Sequence, residues 1–598
     1  MRLRVHVALL ALISLCWAHG DMEMEMSGGD NGMASMMGSN ETLVPVPHEP
    51  KHLHGLPILQ RPDLTAAERL YWTEYNTTTF FNTELGNRAA LKYHAGSLLV
   101  SAVFVYPVCL ALNSIGSSWF LPLLFVNLVL TLSSLLALSV FSTSFPYDWY
   151  PKNAYRATSW ILLVLVVVHF AAAVICQASK WFIGGDAEIE QNFFIPLEYY
   201  NEEGSSTPQT NNEESRLEND HTESTQRADA GNKDSIDLES RSFSGTFKSM
   251  SSVKRDSLLN KVFSNGLIQC FASKFGTFAS LVFSVLNYPL LMYLFIDVTM
   301  GIAVGNLLGK GARIFNLLAH WIKGGVFICL GLVSLARYCG FGRHNGWAWN
   351  KVIITKKQFA RKNPTWIRRM LTPKGMITME GIESFLIFFY GSTNIFLEHL
   401  AAPGGPWSAK DLQHVSIAFM YIGSGLCGLL SEIKLNDWKF NHALQHSDEV
   451  AEEDVYAGSP GYSPNPFPTF TIFWTGILMS QHAQASETST TIHVQWGYLL
   501  SYGSFFRLLT FVLLFLVPNK NYEPSKPFTE LITSFCLLCG GLIFMESTDQ
   551  VIEAMEYRGF TPMFSFNISV GFITLVMAWE MSLFLWKNWL QRRQHRIN

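Results

Sequence analysis

Residues 159–179 read SWILLVLVVVHFAAAVICQAS, and no charged residue lies between Arg156 and Lys180, which flank this stretch. At about 1.5 Å of rise per residue, a helix of about 20 residues crosses the roughly 30 Å hydrocarbon core of a bilayer. That core has no water to satisfy backbone amides, so an apolar stretch of this length is expected to be helical. The stretch therefore predicts a transmembrane helix that carries His169 near its middle.

Apolar stretches of this kind recur along the 598 residues. The sequence is 49% hydrophobic and only 15% charged, whereas a soluble globular domain has about 25% charged residues. We therefore predict an all-α, polytopic transmembrane protein with about eleven spans. The predicted spans lie at roughly 92–112, 119–142, 157–178, 276–298, 314–337, 376–400, 412–432, 468–485, 493–517, 528–547 and 563–587.

The N-terminus has the pattern of a secretory signal peptide. Arg2 and Arg4 precede an apolar run at 7–16, and small residues follow it. A basic start, a short apolar run and small residues near a cleavage site are typical of such signals, and the run is too short for a span. We expect residues 1–20 to be removed, and the chain to be an integral membrane protein of the secretory pathway.

Basic residues predict the orientation in the membrane. Lys and Arg are concentrated in 343–374 and in the tail at 587–596, and segments rich in these residues usually face the cytosol. Counting spans outward from both segments puts the N-terminus outside and the C-terminus in the cytosol. Asn40 and Asn76 then lie outside in Asn-x-Thr acceptor sequences, which predicts a glycoprotein.

The segments between the spans complete the predicted organisation. Residues 202–241 are acidic, Ser-rich and poor in apolar side chains, which is typical of disorder. Methionines within 22–37 and histidines within 48–54 suit copper, and a low-complexity tail is the alternative. We expect, in chain order, a signal peptide at 1–20, an external Met/His-containing segment at 21–88, a three-span front module at 89–180, a disordered acidic cytosolic linker at 181–275, two bridging spans at 276–338, a basic cytosolic loop at 339–375 and a six-span back module at 376–590.

Histidines lie at the predicted external ends of four back-module spans. Imidazole and carboxylate together suit zinc, copper(II) or iron, and ionisable groups at membrane depth are costly enough to indicate function. The sequence therefore predicts a transition-metal site at this external rim if the two helix pairs face each other, and interfacial polar anchors are the alternative. The predicted metal ligands are His399, His414, His482, His493, Glu398 and Glu546.

The front module has two histidines, His94 near the start of its first span and His169 within its third. Two histidines on neighbouring helices can hold a haem iron between them, so both are candidate haem ligands. Their depths differ, because His94 lies about two residues into its span and His169 about 12, a mismatch of about 15 Å. A structural role or a proton relay is the alternative.

Other polar residues lie inside predicted spans of the back module. Arg507, Glu380 and Glu383 are expected either to pair with charges on other helices or to serve a function at membrane depth. The glycines of 423–428 match the spacing of a dinucleotide fingerprint, but they lie within a span, where small residues serve helix packing.

Polar residues that recur within the apolar helices also carry a family resemblance. In the back module they are Glu380–Gly381, Asn394, Glu398–His399, Asp411–His414, Tyr421, Gly476, Ser480–His482, His493, Trp496–Gly497, Gly540–Gly541 and Glu546. With these residues, roughly 300–590 resembles the C-terminal domain of the fungal Ytp-type membrane proteins.

The front module resembles the companion N-terminal domain of that family. Tyr93–Ala95, Tyr106–Pro107, Trp160 and His169 carry this resemblance. That domain is in turn similar to transmembrane b-type cytochromes of the ascorbate-reducing kind, which hold two haems with two pairs of histidines. The front module supplies a single pair, so the resemblance implies the helical fold more directly than it implies electron transfer.

These observations give three functional hypotheses for an integral membrane protein. The first is a His/carboxylate metal site at the external rim, used in copper or iron handling. The second is a membrane oxidoreductase with haem in the front module. The third is a zinc-dependent membrane hydrolase, in which a rim metal activates water. No catalytic residue is assigned, the expected partners are the lipid bilayer and a metal ion, and no nucleic-acid-binding module is found in the sequence.

The predicted orientation can be tested with epitope tags. Tags placed in 181–275, in 343–374 and at the C-terminus should bind antibody only after the membrane is permeabilised, because these segments are predicted to be cytosolic. A tag near Asn40 should bind without permeabilisation. Binding of antibody to the C-terminal tag on intact cells or sealed vesicles would contradict the orientation or the number of spans.

Overall fold

The computed structural model describes residues 55–183, 266–355, 378–397, 406–407, 409–445, 455–460, 465–481, 484–517 and 523–597. The chain divides into two units, one made of 1–174 with 281–598 and the other of 175–280. In the second unit, the described residues are the end of one helix and the start of the next. Most of the predicted linker at 181–275 therefore lies outside the described residues, as do the signal peptide and the methionines of 22–37.

The described residues are predominantly helical. In chain order the helices are α1 Ala66–Thr73, α2 Arg88–Ser114, α3 Phe120–Ser144, α4 Tyr155–Ile183, α5 Gly266–Asn287, α6 Pro289–Gly305, α7 Ile314–Tyr338, α8 Met379–Leu397, α9 Ala409–Gln445, α10 Phe467–Ser480, α11 Glu487–Leu516, α12 Thr529–Glu546, α13 Asp549–Arg558 and α14 Pro562–Ile597.

Each predicted span coincides with one of these helices or with the consecutive pair α5 and α6. Among the described residues, eight helices are long and apolar enough to cross a bilayer, and the α5–α6 pair makes a ninth span with a bend of 43°. The other two predicted spans are α8, whose hydropathy is lowered by two glutamates, and α10, a shorter apolar helix of 14 residues. The predicted fold class, a polytopic helical membrane protein, is confirmed, while the orientation stays a prediction.

Proline causes the bend between α5 and α6. Pro289 has no backbone N–H and cannot continue the hydrogen-bond pattern of the preceding helix. The amide of Leu291 donates to the carbonyl of Tyr288, and the carbonyl of Asn287 accepts instead from the hydroxyl of Tyr106 at 2.5 Å. A polar side chain from α2 therefore satisfies a carbonyl that the bend would leave unpaired in a region without water.

Aromatic residues between α1 and α2 pack on both the front module and the back module. Phe80 stacks on Trp149 with ring centroids 5.6 Å apart, and its backbone N–H donates to the carbonyl of Gly305 at the end of α6. Tyr75 lies 5.0 Å from the ring of Tyr557 on α13, and burial raises the pKa of Tyr75 to about 12, so its phenol stays neutral.

Close packing of helices builds the core of the back module. α7 packs along α12, α12 along α11, α11 along α10, and α8 along α9. In the centre, Trp496 of α11 stacks on Phe544 of α12 with ring centroids 4.1 Å apart. Gly425 of α9 lies against the backbone of Phe388 on α8, so the predicted packing role of the 423–428 glycines is confirmed at this position.

One short antiparallel β-ladder connects two segments outside the spans. β1, Lys351–Thr355, pairs with β2, Val455–Pro460, and Lys351 lies opposite Pro460. The interpretation of 339–375 as a loop missed this strand, although Val352, Ile353 and Ile354 form a run of β-branched residues that favours a strand.

The contact between α7 and α12 leaves no room for a side chain. A Cβ atom added at Gly541 would lie 2.7 Å from the carbonyl oxygen of Gly324 and 2.9 Å from the amide nitrogen of Ile328. Both neighbours are backbone atoms, so the helices themselves would have to move apart. Small residues allow such close approach between membrane helices.

We predict that Gly541→Ala lowers the stability of the protein by about 1–3 kcal/mol, the usual cost of overpacking. Gly571→Ala in α14 is a matched control, because a Cβ there meets no atom within 4 Å. Thermal unfolding in detergent should show a lower Tm for the first variant and an unchanged Tm for the second. Equal Tm values for the two variants would contradict the packing argument.

Candidate functional site

Two histidines meet at the predicted external end of the back module. His493 lies in the second turn of α11 and is buried, and His320 lies in the second turn of α7. Their rings are perpendicular, with centroids 5.7 Å apart, and both rings are close to aromatic side chains of the core. The structure therefore brings one predicted ligand, His493, beside a histidine that was not predicted.

The helix backbone fixes the orientation and protonation of both rings. Nδ1 of His320 lies 2.9 Å from the carbonyl oxygen of Asn316, and Nδ1 of His493 lies 2.8 Å from that of Ser489. A carbonyl oxygen can only accept, so each Nδ1 carries a proton and donates it to the helix backbone. This is the usual second-shell arrangement of metal-ligating histidines, which donate their other ring N–H to a carbonyl or carboxylate.

Glu546, another predicted ligand, ends α12 at the same end of the back module. Its carboxylate accepts hydrogen bonds from two serines of α14, from Ser569 at 2.8 Å and from Ser565. The described contacts of this carboxylate therefore fix the start of α14.

The other predicted metal ligands are not described at the level of side chains. Glu398, His399 and His482 lie outside the described residues, and for His414 only its place in the first turns of α9 is described. Within the described part of the chain, no group of three His, Cys, Asp or Glu side chains is close enough to hold a metal ion. The ligand set predicted from the sequence stays a prediction.

In the front module, His94 is fully engaged in hydrogen bonds. Its Nδ1 lies 2.8 Å from the hydroxyl and 3.0 Å from the carbonyl of Ser134 on α3, and its Nε2 lies 2.7 Å from the hydroxyl of Tyr155 on α4. Both ring nitrogens therefore have protein partners, and a haem iron would have to displace one of them.

His169 has a different environment. It is fully buried, stacks on Phe283 with ring centroids 4.8 Å apart, and has no partner in hydrogen-bond geometry among the described residues. His94 contacts Tyr155, which lies 14 residues before His169 on α4, a distance of about 21 Å along the helix axis. The structure does not bring these two candidate haem ligands together.

A second polar site lies at the other end of the back module. Arg337, in the last turn of α7, donates through Nη2 to Glu380 Oε1 at 3.0 Å and through Nε to the carbonyl of Trp347 at 2.7 Å. Glu380 is in the first turn of α8, where the helix dipole favours an acid, and Arg337 is in a last turn, where it favours a base. Both side chains are at most 4% exposed.

Arg507 and Glu530 form the second ion pair of this site. Arg507 Nε of α11 lies 2.8 Å from Glu530 Oε1 of α12, a close ionic contact without hydrogen-bond alignment. The Ser334 hydroxyl of α7 accepts from Arg507 Nη2 at 3.0 Å and donates to Glu530 Oε2 at 3.1 Å. Glu383 of α8 lies 4.0 Å from Arg507 Nη1. The expectation that Arg507 and Glu380 each pair with a charge on another helix is confirmed.

We call this group the inner charge cluster; it consists of Arg337, Glu380, Glu383, Arg507 and Glu530. Trp349 covers it, with its ring centroid 4.1 Å from the guanidinium of Arg337 and 5.5 Å from that of Arg507. Trp349 has a φ of 58°, a conformation that costs a bulky residue of order 1–3 kcal/mol. The surrounding contacts hold this strained residue over two arginines.

The sequence interpretation missed three members of these sites. Arg337 and Glu530 lie in the last and first turns of their helices, where a charge resembles an ordinary interfacial residue. His320 lies in a predicted bridging span, outside the back module that contains the predicted metal ligands. The signal that could have found it is that His320 and His493 both lie in the second turn of a span that starts at the same membrane surface.

The helices define the class of protein: an integral membrane protein with many α-helical spans. Residues 293–588 match the family model described as "Protein YTP1-like, C-terminal", and residues 74–179 match a domain of unknown function, DUF2427.

Three yeast proteins are similar to this chain. The uncharacterized membrane protein YCR061W of Saccharomyces cerevisiae is 57% identical over 581 residues, which cover 92% of this chain and 91% of the relative. The uncharacterized membrane protein C3B8.06 of Schizosaccharomyces pombe is 42% identical over 48% of this chain and 54% of its own length. Protein YTP1 of Saccharomyces cerevisiae is 23% identical over 42% of this chain and 48% of its own length. No solved structure matches this chain.

The chain belongs to the YTP1-like family of membrane proteins. The resemblance inferred from the sequence is thereby confirmed for both modules.

The ion pairs of the inner charge cluster should contribute far more to the stability of the protein than ion pairs on its surface do. Arg337→Met removes the arginine from a buried pair, so Glu380 loses its compensating charge. We expect the free energy of unfolding to fall by about 3–5 kcal/mol. Arg343→Met is a matched control, because Arg343 pairs with Glu523 at 2.6 Å while both side chains are at least 44% exposed. Such an exposed pair contributes at most about 1 kcal/mol. Unfolding of both variants in detergent gives the comparison, and an equal loss of stability would contradict it.

Proposed function

We propose that this membrane protein binds a transition-metal ion at the predicted external end of its back module, with His320 and His493 as ligands. The observation that carries the proposal is the shared geometry of these two rings. Each Nδ1 is held by the carbonyl four residues earlier, and the ring centroids are 5.7 Å apart. Two adjacent imidazoles, each with Nδ1 held by a backbone carbonyl, match the way in which metal-ligating histidines are oriented in proteins.

The metal class follows from the ligand type. Imidazole nitrogen suits zinc, copper(II) and iron, at metal–nitrogen distances of about 2.0–2.1 Å for zinc. The predicted ligands His399, His414 and His482 would complete the coordination. His399 follows α8 in the sequence, His414 lies in the first turns of α9 and His482 follows α10, all at the same predicted membrane surface. Glu546 would act from the second shell. This arrangement supports metal handling, for copper or iron, as the function.

The haem hypothesis has less support from the described geometry. A six-coordinate haem needs both histidine nitrogens within bonding distance of one iron. His94 has protein partners on both nitrogens, and the Tyr155 that it contacts is about 21 Å along α4 from His169. An absorption spectrum of the purified protein tests this alternative directly, because bound haem gives a Soret band.

The proposed metal site can be tested by elemental analysis of the purified full-length protein. After equilibration with zinc, copper or iron salts and removal of unbound metal, the wild-type protein should retain a metal ion. The double variant His320→Ala/His493→Ala should lose it, because two ligands are removed. Membrane insertion should not change, since it depends on the apolar spans.

A matched control distinguishes the effect of removing His320 and His493 from the effect of removing any buried histidine. His169→Ala removes a fully buried histidine of the front module and should leave the retained metal unchanged. If the double variant keeps as much metal as the wild type, His320 and His493 are not ligands. If the wild type retains no zinc, copper or iron, the proposed function fails.

A further inference from the structure

The inner charge cluster has more negative than positive groups. It contains three glutamates and two arginines, and no member is more than 15% exposed at its side chain. Arginine stays protonated in proteins. If all three carboxylates are ionised, the cluster therefore has one uncompensated negative charge in a region of low dielectric. Such a charge is costly, and binding a proton removes it.

The contacts identify the carboxylate that is least compensated. Glu380 accepts from Arg337 at 3.0 Å, and Glu530 contacts Arg507 at 2.8 Å and accepts from Ser334 at 3.1 Å. Glu383 is 4.0 Å from Arg507 and has no closer polar contact among the described residues. Glu383 is therefore the place where an additional proton removes the most unfavourable charge.

The groups around Glu383 come from each helix that packs on α8 or pairs with it. α7 contributes Arg337, α11 contributes Arg507, and α12 contributes Glu530. α9 contributes Glu432, which accepts from Thr378 at 2.7 Å and from Asn465 at 3.0 Å. α10 has no titratable side chain in Phe467–Ser480. Both positive charges near Glu383 are thus already close to another carboxylate.

The cluster also has a donor that an ionised Glu383 could use. Nη1 of Arg337 is buried and has no hydrogen-bond partner among the described residues, while Nη2 and Nε are both used. The side chain of Arg337 is only 3% exposed. An ionised Glu383 could move toward this donor or toward Arg507, whereas a protonated Glu383 has no charge to attract either arginine.

The ion pairs connect two groups of helices. α8 packs along α9, whereas α7 and α11 both pack along α12. The pair Arg337–Glu380 and the contact Arg507–Glu383 both cross from α8 to the second group. Protonation of Glu383 would remove the attraction in one of these two links.

We propose that the inner charge cluster is a proton-binding site, that Glu383 takes up the proton, and that proton uptake weakens the link between α8 and α11. Intramembrane carboxylates that gain and lose protons are a feature of proton-coupled membrane proteins. The proposal does not depend on the metal site, which is at the opposite ends of α7 and α11, about 21–25 Å away along these helices.

Infrared difference spectroscopy tests this proposal on the full-length protein in lipid nanodiscs. Spectra recorded between acidic and alkaline pH should contain the carbonyl stretch of a protonated carboxylic acid that disappears as the pH rises. Glu383→Gln should remove part of this band, because glutamine keeps the shape of the side chain and cannot titrate, while other buried carboxyl groups such as Asp297 keep their own contributions. Glu432→Gln is the matched control and should keep the band. Glu383→Asp should also keep it, with a shifted midpoint.

Hydrogen–deuterium exchange of the α8 amides gives a second readout. Exchange in the wild type should be faster at acidic pH, after correction for the intrinsic pH dependence. In Glu383→Gln it should be fast at both pH values. A titrating band of the same intensity in Glu383→Gln as in the wild type, or the absence of a titrating band in the wild type, would overturn the proposal. A midpoint that moves with sodium or potassium concentration would also overturn it, because a metal cation would then neutralise the excess charge.

Discussion

The high cost of an unpaired charge in hydrocarbon constrains the arrangement of the whole back module. Arg337 and Glu380 are stable at their depth only when α7 and α8 bring them together, and Arg507 and Glu530 only when α11 meets α12. Apolar side chains do not select one neighbour over another in lipid, since lipid tails are equally apolar. The ion pairs therefore specify which helix ends meet, and the close contact at Gly541 allows α7 and α12 to approach near enough for Ser334 to reach Glu530.

The two ends of the same helices have different chemistry for a physical reason. At the inner end, charges from four helices compensate one another under Trp349, and the site holds arginine with carboxylate. At the opposite end, Nδ1 of His320 and Nδ1 of His493 each donate to a carbonyl of their own helix. Imidazoles held in this way suit the proposed binding of a metal ion, whereas the arginines of the inner cluster already pair with its carboxylates.

Hydropathy predicted the spans well because it averages over about 20 residues, so single polar residues barely change it. The same averaging hid polar residues at the ends of the helices. Arg337 and Glu530 lie at helix ends, and pairing between residues far apart in sequence cannot be found from composition. The metal ligands were predicted from shared depth alone, which could not show that His493 lies beside His320 of α7, and the ligand set stays a prediction.

The two predicted bridging spans illustrate why contacts, not chain order, decide which helices form a module. α6 belongs to the first predicted bridging span, yet its Asp297 accepts from Ser159 of α4 at 3.1 Å, and a Cβ at Gly301 would lie 2.7 Å from the hydroxyl of Tyr155. α7 instead packs on α12.

The turn between α6 and α7 falls at Leu307–Gly311, where Leu307 and two glycines have positive φ. Because Tyr150 of the front module donates to the Leu308 carbonyl in this turn, and Gln550 of α13 accepts from the amide of Gly309, the turn is held by both modules. The front and back modules are therefore parts of one folded unit, connected through a turn whose backbone polar groups each module helps to satisfy.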